Sequence, residues 1–184
     1  MDSLRGRFLI ASPHLPDLNF SRTVVLVVEH HEEGALGLVL NRPTSASIED
    51  IWKFVDGTLC DSGECLRLGG PVEGNIMCIH ADAIRSESEI LPGVYLTTDT
   101  TMIREIAEAD EHRYFIFWGY AGWGAGQLEY ELKVGGWFVG DASADLVFSD
   151  DVHSLWKKVV ARSGQDVLRE ALHISHFPDD PQLN

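Results

Sequence analysis

The stretch Tyr114-Phe115-Ile116-Phe117-Trp118-Gly119-Tyr120-Ala121-Gly122-Trp123-Gly124-Ala125-Gly126-Gln127-Leu128-Glu129 decides the fold. Its first five residues are apolar without alternation, the pattern of a strand buried on both faces. The glycines that follow predict a tight turn, because a residue without Cβ lets the backbone bend and approach its neighbours while Tyr120 and Trp123 pack around it. Residues 127–134 read two ways: Leu128, Tyr130, Leu132 and Val134 alternate with Glu129, Glu131 and Lys133 as in a half-buried strand. Gln, Leu, Glu and Lys nevertheless favour a helix, and Glu129 with Lys133 forms an i, i+4 pair in the favourable order, so a helix is expected. The segment is a strand, a Gly-rich turn and a helix in succession.

Working outward, residues 7–11, 23–29 and 36–40 are rich in β-branched and apolar side chains, and the last two runs flank a polar, Gly-bearing segment at 30–34, which makes a hairpin. Residues 66–68, 76–80, 94–97, 137–139 and 146–148 read as further short strands. Ile48, Ile51, Trp52 and Val55 fall at i, i+3, i+4 and i+7 behind an S-x-x-D cap, Ser47 to Asp50, and predict a short helix. A second helix, capped by Asp99 or Thr100, carries Met102, Ile103, Ile106 and Ala107 on one face. A third, capped by Ser149, carries Val152, Leu155, Trp156, Val159 and Val160; Gly164 interrupts it before another apolar face at Val167, Leu168, Ala171 and Leu172. Strands with irregularly placed helices indicate α+β, with no repeat and no linker. Residues 1–176 are expected to form one domain and 177–184, with two prolines and no periodicity, a flexible tail.

The chain has 184 residues, 14 Lys plus Arg and 29 Asp plus Glu, hence a net charge of −15. That field repels phosphate, and no basic helix offsets it, so direct nucleic-acid contact is disfavoured. With 45% hydrophobic residues the chain can build a core without metal or disulfide support. Only four apolar residues, 8–11, follow Arg5 and Arg7, too few for a secretory or spanning segment, and three cysteines cannot all pair, so a cytoplasmic protein with no membrane association is expected.

The chemistry-bearing patterns are incomplete. The Gly-rich segment fails the dinucleotide pattern, since Gln127 stands where G-x-G-x-x-G needs glycine, and it lacks the P-loop Lys-Ser/Thr. Glu129 and Glu131 would add negative charge beside any phosphate. Cys60, Cys65, Cys78 and His80 imitate a zinc set, but the final C-x-H spacing is unusual and free cysteine is commonly a small core residue. His30 and His31, adjacent on a strand, point to opposite faces and read as a solvated hairpin tip. There is no G-x-S-x-G elbow, so no catalytic residue, metal or cofactor is assigned.

Several ordered motifs resemble the YqgE/AlgH family of bacterial proteins: Gly6 to Ala11 with Pro13, Asp17 and Phe20; Glu29-His30; Gly34 to Pro43; Gly69-Gly70-Pro71-Val72; and Gly119 to Leu132. The resemblance spans about Gly6 to Trp156. It implies an α+β fold in which a mixed, bifurcated sheet closes into a pseudo-barrel with peripheral short helices. It carries the label of transcriptional regulator and implies no established activity or catalytic residues.

Three classes of function follow. The first is a non-catalytic regulatory or binding protein acting through a protein or small-molecule partner, with candidate binding residues Asn41, Arg42, Gly69, Gly70, Pro71, His80, Tyr120, Trp123, Gly124 and Gln127. The second is an enzyme, whose site would require His80, Asn41 or Arg42, Tyr120 and Gln127 to converge in one pocket beside the Gly-rich segment. The third is a structural or assembly role, for which a large exposed apolar patch would speak.

Overall fold

The computed structural model describes residues 2–15, 17–48, 52, 65–109 and 111–172. Ten strands form one continuous, curled sheet: β1 (Arg7–Ala11), β2 (Val24–His31), β3 (Gly34–Val39), β4 (Pro43–Ser47), β5 (Cys65–Leu68), β6 (Val72–His80), β7 (Ser88–Leu91), β8 (Val94–Thr97), β9 (Tyr114–Gly124) and β10 (Trp137–Asp141). The path runs β10-β1-β2-β3-β9-β6-β8-β7, with β4 and β5 branching from β9. Four helices accompany it: α1 (Thr100–Ala109), α2 (Gln127–Lys133), α3 (Ala144–Val147) and α4 (Val152–Leu172). This is an α+β half-barrel on a forked sheet.

The fork is at β9. Its first half pairs antiparallel with β6 from His80↔Tyr114 to Ile76↔Trp118, and its last four residues pair antiparallel with β3 from Gly37↔Ala121 to Gly34↔Gly124. On the edge it shares with β3, β9 also takes β5 in parallel, at Arg67↔Phe117 and Leu68↔Trp118. One long strand therefore belongs to both halves of the sheet.

Apolar side chains alternate across the sheet into three cores. The concave face, with Phe8, Ile10, Leu26, Leu38, Ile79, Phe115 and Phe117, packs α3 and α4 through Val147, Leu155 and Val159. On the outer face of the first half, Leu9, Val25, Val39 and Trp123 pack Leu128 of α2. On the outer face of the second half, Ile76, Cys78 and Ile116 pack Ile103 and Ile106 of α1. Tyr114, Phe115, Ile116 and Phe117 are all buried, as their unbroken apolar run requires.

Several sequence expectations need correction. The Gly-rich segment is strand as far as Gly124, and only residues 125–126 turn before α2 begins. Residues 146–148 are not a strand: the N–H groups of Leu146 and Val147 donate to the Ser143 carbonyl, and Phe148 N–H to Ala144, making a single helical turn of an apolar run too short for periodicity to classify. Asp151, not Ser149, caps α4; its carboxylate accepts from Ser154 N–H at 3.1 Å and from the Ser154 hydroxyl. Those bonds to Ser154, aided by Lys158, hold the Asp151 carboxyl down at about 2. Gly164 does not interrupt α4, since a glycine in an exposed helical position costs only about 1 kcal/mol. β4 and β7, which lack alternation, were not expected. Of the helix read over residues 47–55, Ile48 and Trp52 are helical and buried, and Ser47 ends β4. The remainder of that helix, and the tail at 177–184, lie outside the described residues. Asp99 does cap α1, its Oδ1 accepting from Thr101 and Met102 N–H at 2.9 Å.

Candidate functional site

Three residues solve the topological problem of the fork. β5 and β6 both pair with Phe117 and Trp118, so they lie on opposite edges of β9, and Gly69-Gly70-Pro71 between them must cross it. A Cβ at Gly69 would stand 2.2 Å from the Gly119 carbonyl oxygen, and one at Gly70 2.2 Å from the Tyr120 carbonyl carbon. Gly119 holds φ at +68°, and a Cβ there would meet the Val72 oxygen at 2.6 Å. Side chains are excluded on both sides of the crossing. Gly69 also joins the strands, its N–H donating to Trp118 O at 2.9 Å and its carbonyl accepting from Val39 N–H at 2.8 Å. These glycines are packing elements, and Pro71 is exposed beside them.

Beyond the crossing a groove opens on the concave side. β6 ends at Val72 opposite Tyr120, whereas β3 and β9 continue together. The Tyr120 ring lies across two glycines: a Cβ at Gly74 would be 3.0 Å from Cε1 and one at Gly122 3.2 Å from Cε2. Leu36, opposite Gly122, supplies floor, and the open cavity measures about 360 Å³. Its rim is Glu29, His31 and Glu33. A register shift between Val27 and Glu29 puts Glu29 opposite Leu36 and His31 opposite Gly34, so both rim side chains share the groove's face. Neither Lys nor Arg lines the groove. Of the candidates taken from the sequence, Tyr120 places its ring there, whereas the Trp123 side chain lies in the outer core on the other face of β9, and Glu29, His31 and Glu33 were read only as a polar hairpin tip.

The other candidates serve elsewhere. Asn41 accepts from Val24 N–H through Oδ1 at 2.9 Å and donates through Nδ2 to Arg22 O at 2.9 Å, tying the start of β2. The Arg42 guanidinium donates to Ser21 O at 2.6 Å on the same loop. Gln127 accepts from Gly124 N–H at 3.1 Å and donates to Glu131 at 2.9 Å, closing the turn into α2. Glu131 Oε2 accepts from both indole N–H groups, Trp123 at 3.0 Å and Trp137 at 2.8 Å. Phe20 stacks on Trp123 and meets Trp137 edge-on, so the Trp123 ring belongs to an aromatic cluster of the outer core, on the face of β9 opposite Tyr120. His30 is likewise not at a solvated tip: its side chain is 5% exposed and bridges Leu4 N–H, which donates to Nδ1 at 3.0 Å, and Glu129, 3.0 Å from Nε2. Since a backbone N–H can only donate, Nδ1 carries the lone pair and Nε2 the proton. Hydrogen bonds from its own backbone N–H and then from His30 hold the Glu129 carboxyl below its ordinary range.

His80 is buried at the far end of β6, opposite Tyr114. Tyr114 is six residues from Tyr120 along β9, so His80 stands about 20 Å from the groove at ~3.3 Å per residue. The convergent pocket that the enzyme reading required is absent: His80, Asn41, Tyr120 and Gln127 point to four separate neighbourhoods. The backbone of Asp82 approaches the imidazole, yet neither ring nitrogen has a hydrogen-bond partner. Burial pushes the His80 pKa down, against an opposing pull from the Asp82 carboxylate. Burial also pushes the Asp82 carboxyl up, but bonds from Ile84 N–H at 2.8 Å and Arg85 at 2.6 Å outweigh it and hold it below its ordinary value. The Cys78 thiol is free and buried in the core against α1, where desolvation raises its pKa, so it has no thiolate character to offer a metal. Among the described residues no group of three or more His, Cys, Asp and Glu side chains could hold an ion; Cys60 lies outside them. Arg67, which sequence patterning did not single out, is a buried cation donating to Leu40 O at 2.8 Å and stacked 3.3 Å above the Phe115 ring.

The forked sheet, the glycine crossing and the groove define the class: an α+β half-barrel protein with an open, acid-rimmed cleft and no assembled catalytic set among the described residues. An AlgH-like family model matches residues 8–168, and the chain belongs to that family. It is 34% identical to a UPF0301 protein of Chlorobaculum tepidum over 97% of this chain and 95% of that one, and 35% identical to one of Streptomyces coelicolor over 100% and 97%. The solution structure of the AlgH protein from Pseudomonas aeruginosa superposes with a TM-score of 0.76 at 30% identity, covering 96% of each chain. A crystal structure from Corynebacterium diphtheriae shares the fold at 24% identity and a TM-score of 0.70, covering 85% of each chain. No helix among the described residues is long and apolar enough to cross a membrane.

Proposed function

We propose that the protein is a non-catalytic binding protein of the cytoplasm that regulates through a partner held in the groove beside Tyr120. The observation that carries this reading is the groove itself: an apolar floor of Leu36, Val72 and Tyr120 under a rim of Glu29, His31 and Glu33. An apolar floor with a few polar groups at its margin suits recognition, and of the residues the enzyme reading required only Tyr120 lines it. The two carboxylates and the net charge of −15 speak against DNA, so any transcriptional effect runs through another molecule.

Affinity capture from the source cell tests the proposal, comparing wild type with the charge-reversed rim variant Glu29→Lys/Glu33→Lys. Both positions are exposed, so the variant keeps the fold. Loss of a specific partner from the variant is expected. Recovery of the same partners at the same yield, or a sequence-selective duplex DNA complex of the wild type at physiological salt, overturns it.

A further inference from the structure

We infer that the occupant of this groove is a basic polypeptide segment that docks in extended form along the free edge of β9, adding a strand beside residues 121–124. The inference rests on the binding reading of the same groove and narrows its occupant to one class.

The edge comes first. β6 pairs with β9 no further than Val72↔Tyr120, while β3 continues to Gly34↔Gly124, so among the described strands residues 121–124 have a neighbour on one side only. Such an edge offers unpaired N–H and C=O groups to an incoming strand. The far end is closed, because Gln127 Oε1 already accepts the Gly124 N–H at 3.1 Å. Gly122 in the middle is exposed and bears no side chain, so another backbone can come close. A helical partner would cover the apolar floor but leave the edge unpaired.

Charge selects the partner. The groove that borders this edge has Val72 and Tyr120 on one side and Glu29 and Glu33 on the other, with no Lys or Arg in its lining. Alternate side chains of an extended segment face the same way, and Tyr120, Leu36 and Glu29 share one face of the sheet. The groove-facing positions i, i+2 and i+4 of the segment must therefore supply both an apolar residue over Tyr120 and Lys or Arg toward the carboxylates. The chain's net charge of −15 favours encounter with a cationic segment and disfavours an acidic one.

The test uses the full chain labelled with 15N and a random peptide display library as the probe source. Selected peptides should carry Lys or Arg and an apolar residue on the same face, at positions i and i+2, and a synthetic one should shift the amides of Glu29, Gly122 and Trp123. N-methylation of every second peptide amide should weaken binding by at least about tenfold, the consequence of losing ladder hydrogen bonds. Glu29→Gln/Glu33→Gln should weaken it by about tenfold, with a shallower salt dependence. Acidic or helical selected peptides, a footprint elsewhere, or indifference to N-methylation would overturn the inference. A small-molecule fragment library applied to the same spectra separates the two levels. If fragments shift the groove and peptides do not, the strand-docking inference fails and the binding reading survives. If neither does, both fail.

Discussion

His80→Leu is expected to stabilise the protein, and to do so increasingly as the pH falls. The wild-type imidazole is 0% exposed with both ring nitrogens unpartnered. A buried polar group left without a partner costs about 1–3 kcal/mol, and leucine fills similar volume without that cost. At pH 7.5 the variant should therefore gain roughly 1–3 kcal/mol, a Tm rise of a few degrees for a chain of this size. Below that pH the comparison becomes sharper. Burial sets the folded pKa of His80 below its ordinary value of 6.5, so in the window beneath 6.5 the unfolded chain binds the proton and the folded chain does not. Stability is complete above the unfolded pKa and lost as pH falls through it, with a limiting slope of about 1.4 kcal/mol per pH unit for one proton.

The groups facing the ring set the sign. Burial outweighs the pull of Asp82, which favours the imidazolium through its charge and through its backbone beside the ring. The Asp82 Oδ1 accepts from Ile84 N–H and its Oδ2 from Arg85, so both carboxylate oxygens are committed. His112 opposes protonation, and the cross-strand neighbours Tyr95 and Tyr114 bring no carboxylate. Urea denaturation of wild type and variant at pH 7.5, 6.5 and 5.5 measures the gap directly, and groups common to both cancel in the difference. A gap that narrows with acid would mean that Asp82 captures the proton on His80. A variant less stable at every pH would mean that the imidazole is satisfied in solution. Either result refutes the reasoning.

Gly119→Ala should destabilise by ~3 kcal/mol or more, since φ of +68° and a Cβ 2.6 Å from the Val72 oxygen act together; urea unfolding checks it, and Gly93→Ala, also at positive φ but with open space, should cost only about 1–2 kcal/mol. Glu131→Ala strips the acceptor from two buried indoles and should cost about 2–4 kcal/mol with a changed near-UV circular dichroism spectrum, whereas Glu131→Gln should keep part of both. Asn41→Ala should cost about 1–3 kcal/mol, because it leaves Val24 N–H without its acceptor in a buried strand, while rim variants at Glu29 and Glu33 should stay within about 0.5 kcal/mol of wild type by the same measurement.

How much of this was legible in the sequence depends on the range of the interaction that decides each element. Periodicity is local, so the β2–β3 hairpin and the buried run at Tyr114 could be read directly, and the cap of α1 narrows to Asp99 or Thr100, of which the structure uses Asp99. The extent of β9 could not: glycine has a low intrinsic preference for strands, and residues 121–124 are extended because β3 pairs with them, while the Gly69-Gly70 crossing needs room above Gly119 and Tyr120. The same long-range fact decides the candidate site. From the sequence alone, Gly69-Gly70-Pro71 stand among the candidate binding residues and the hairpin acids beside His30 and His31 look like a solvated tip; once β9 is seen to run between β5 and β6, those places change. The glycines become the joint at which a chain crosses a strand, and the hairpin acids become the rim of the cleft that this joint leaves open. β6 ends at Tyr120 because the crossing delivers it there, and the edge of β9 beyond is unpaired for the same reason. The groove is therefore a by-product of the topology that the glycines permit. Its floor should persist wherever the crossing does, and its selectivity should be set by the side chains the β2–β3 hairpin carries above it.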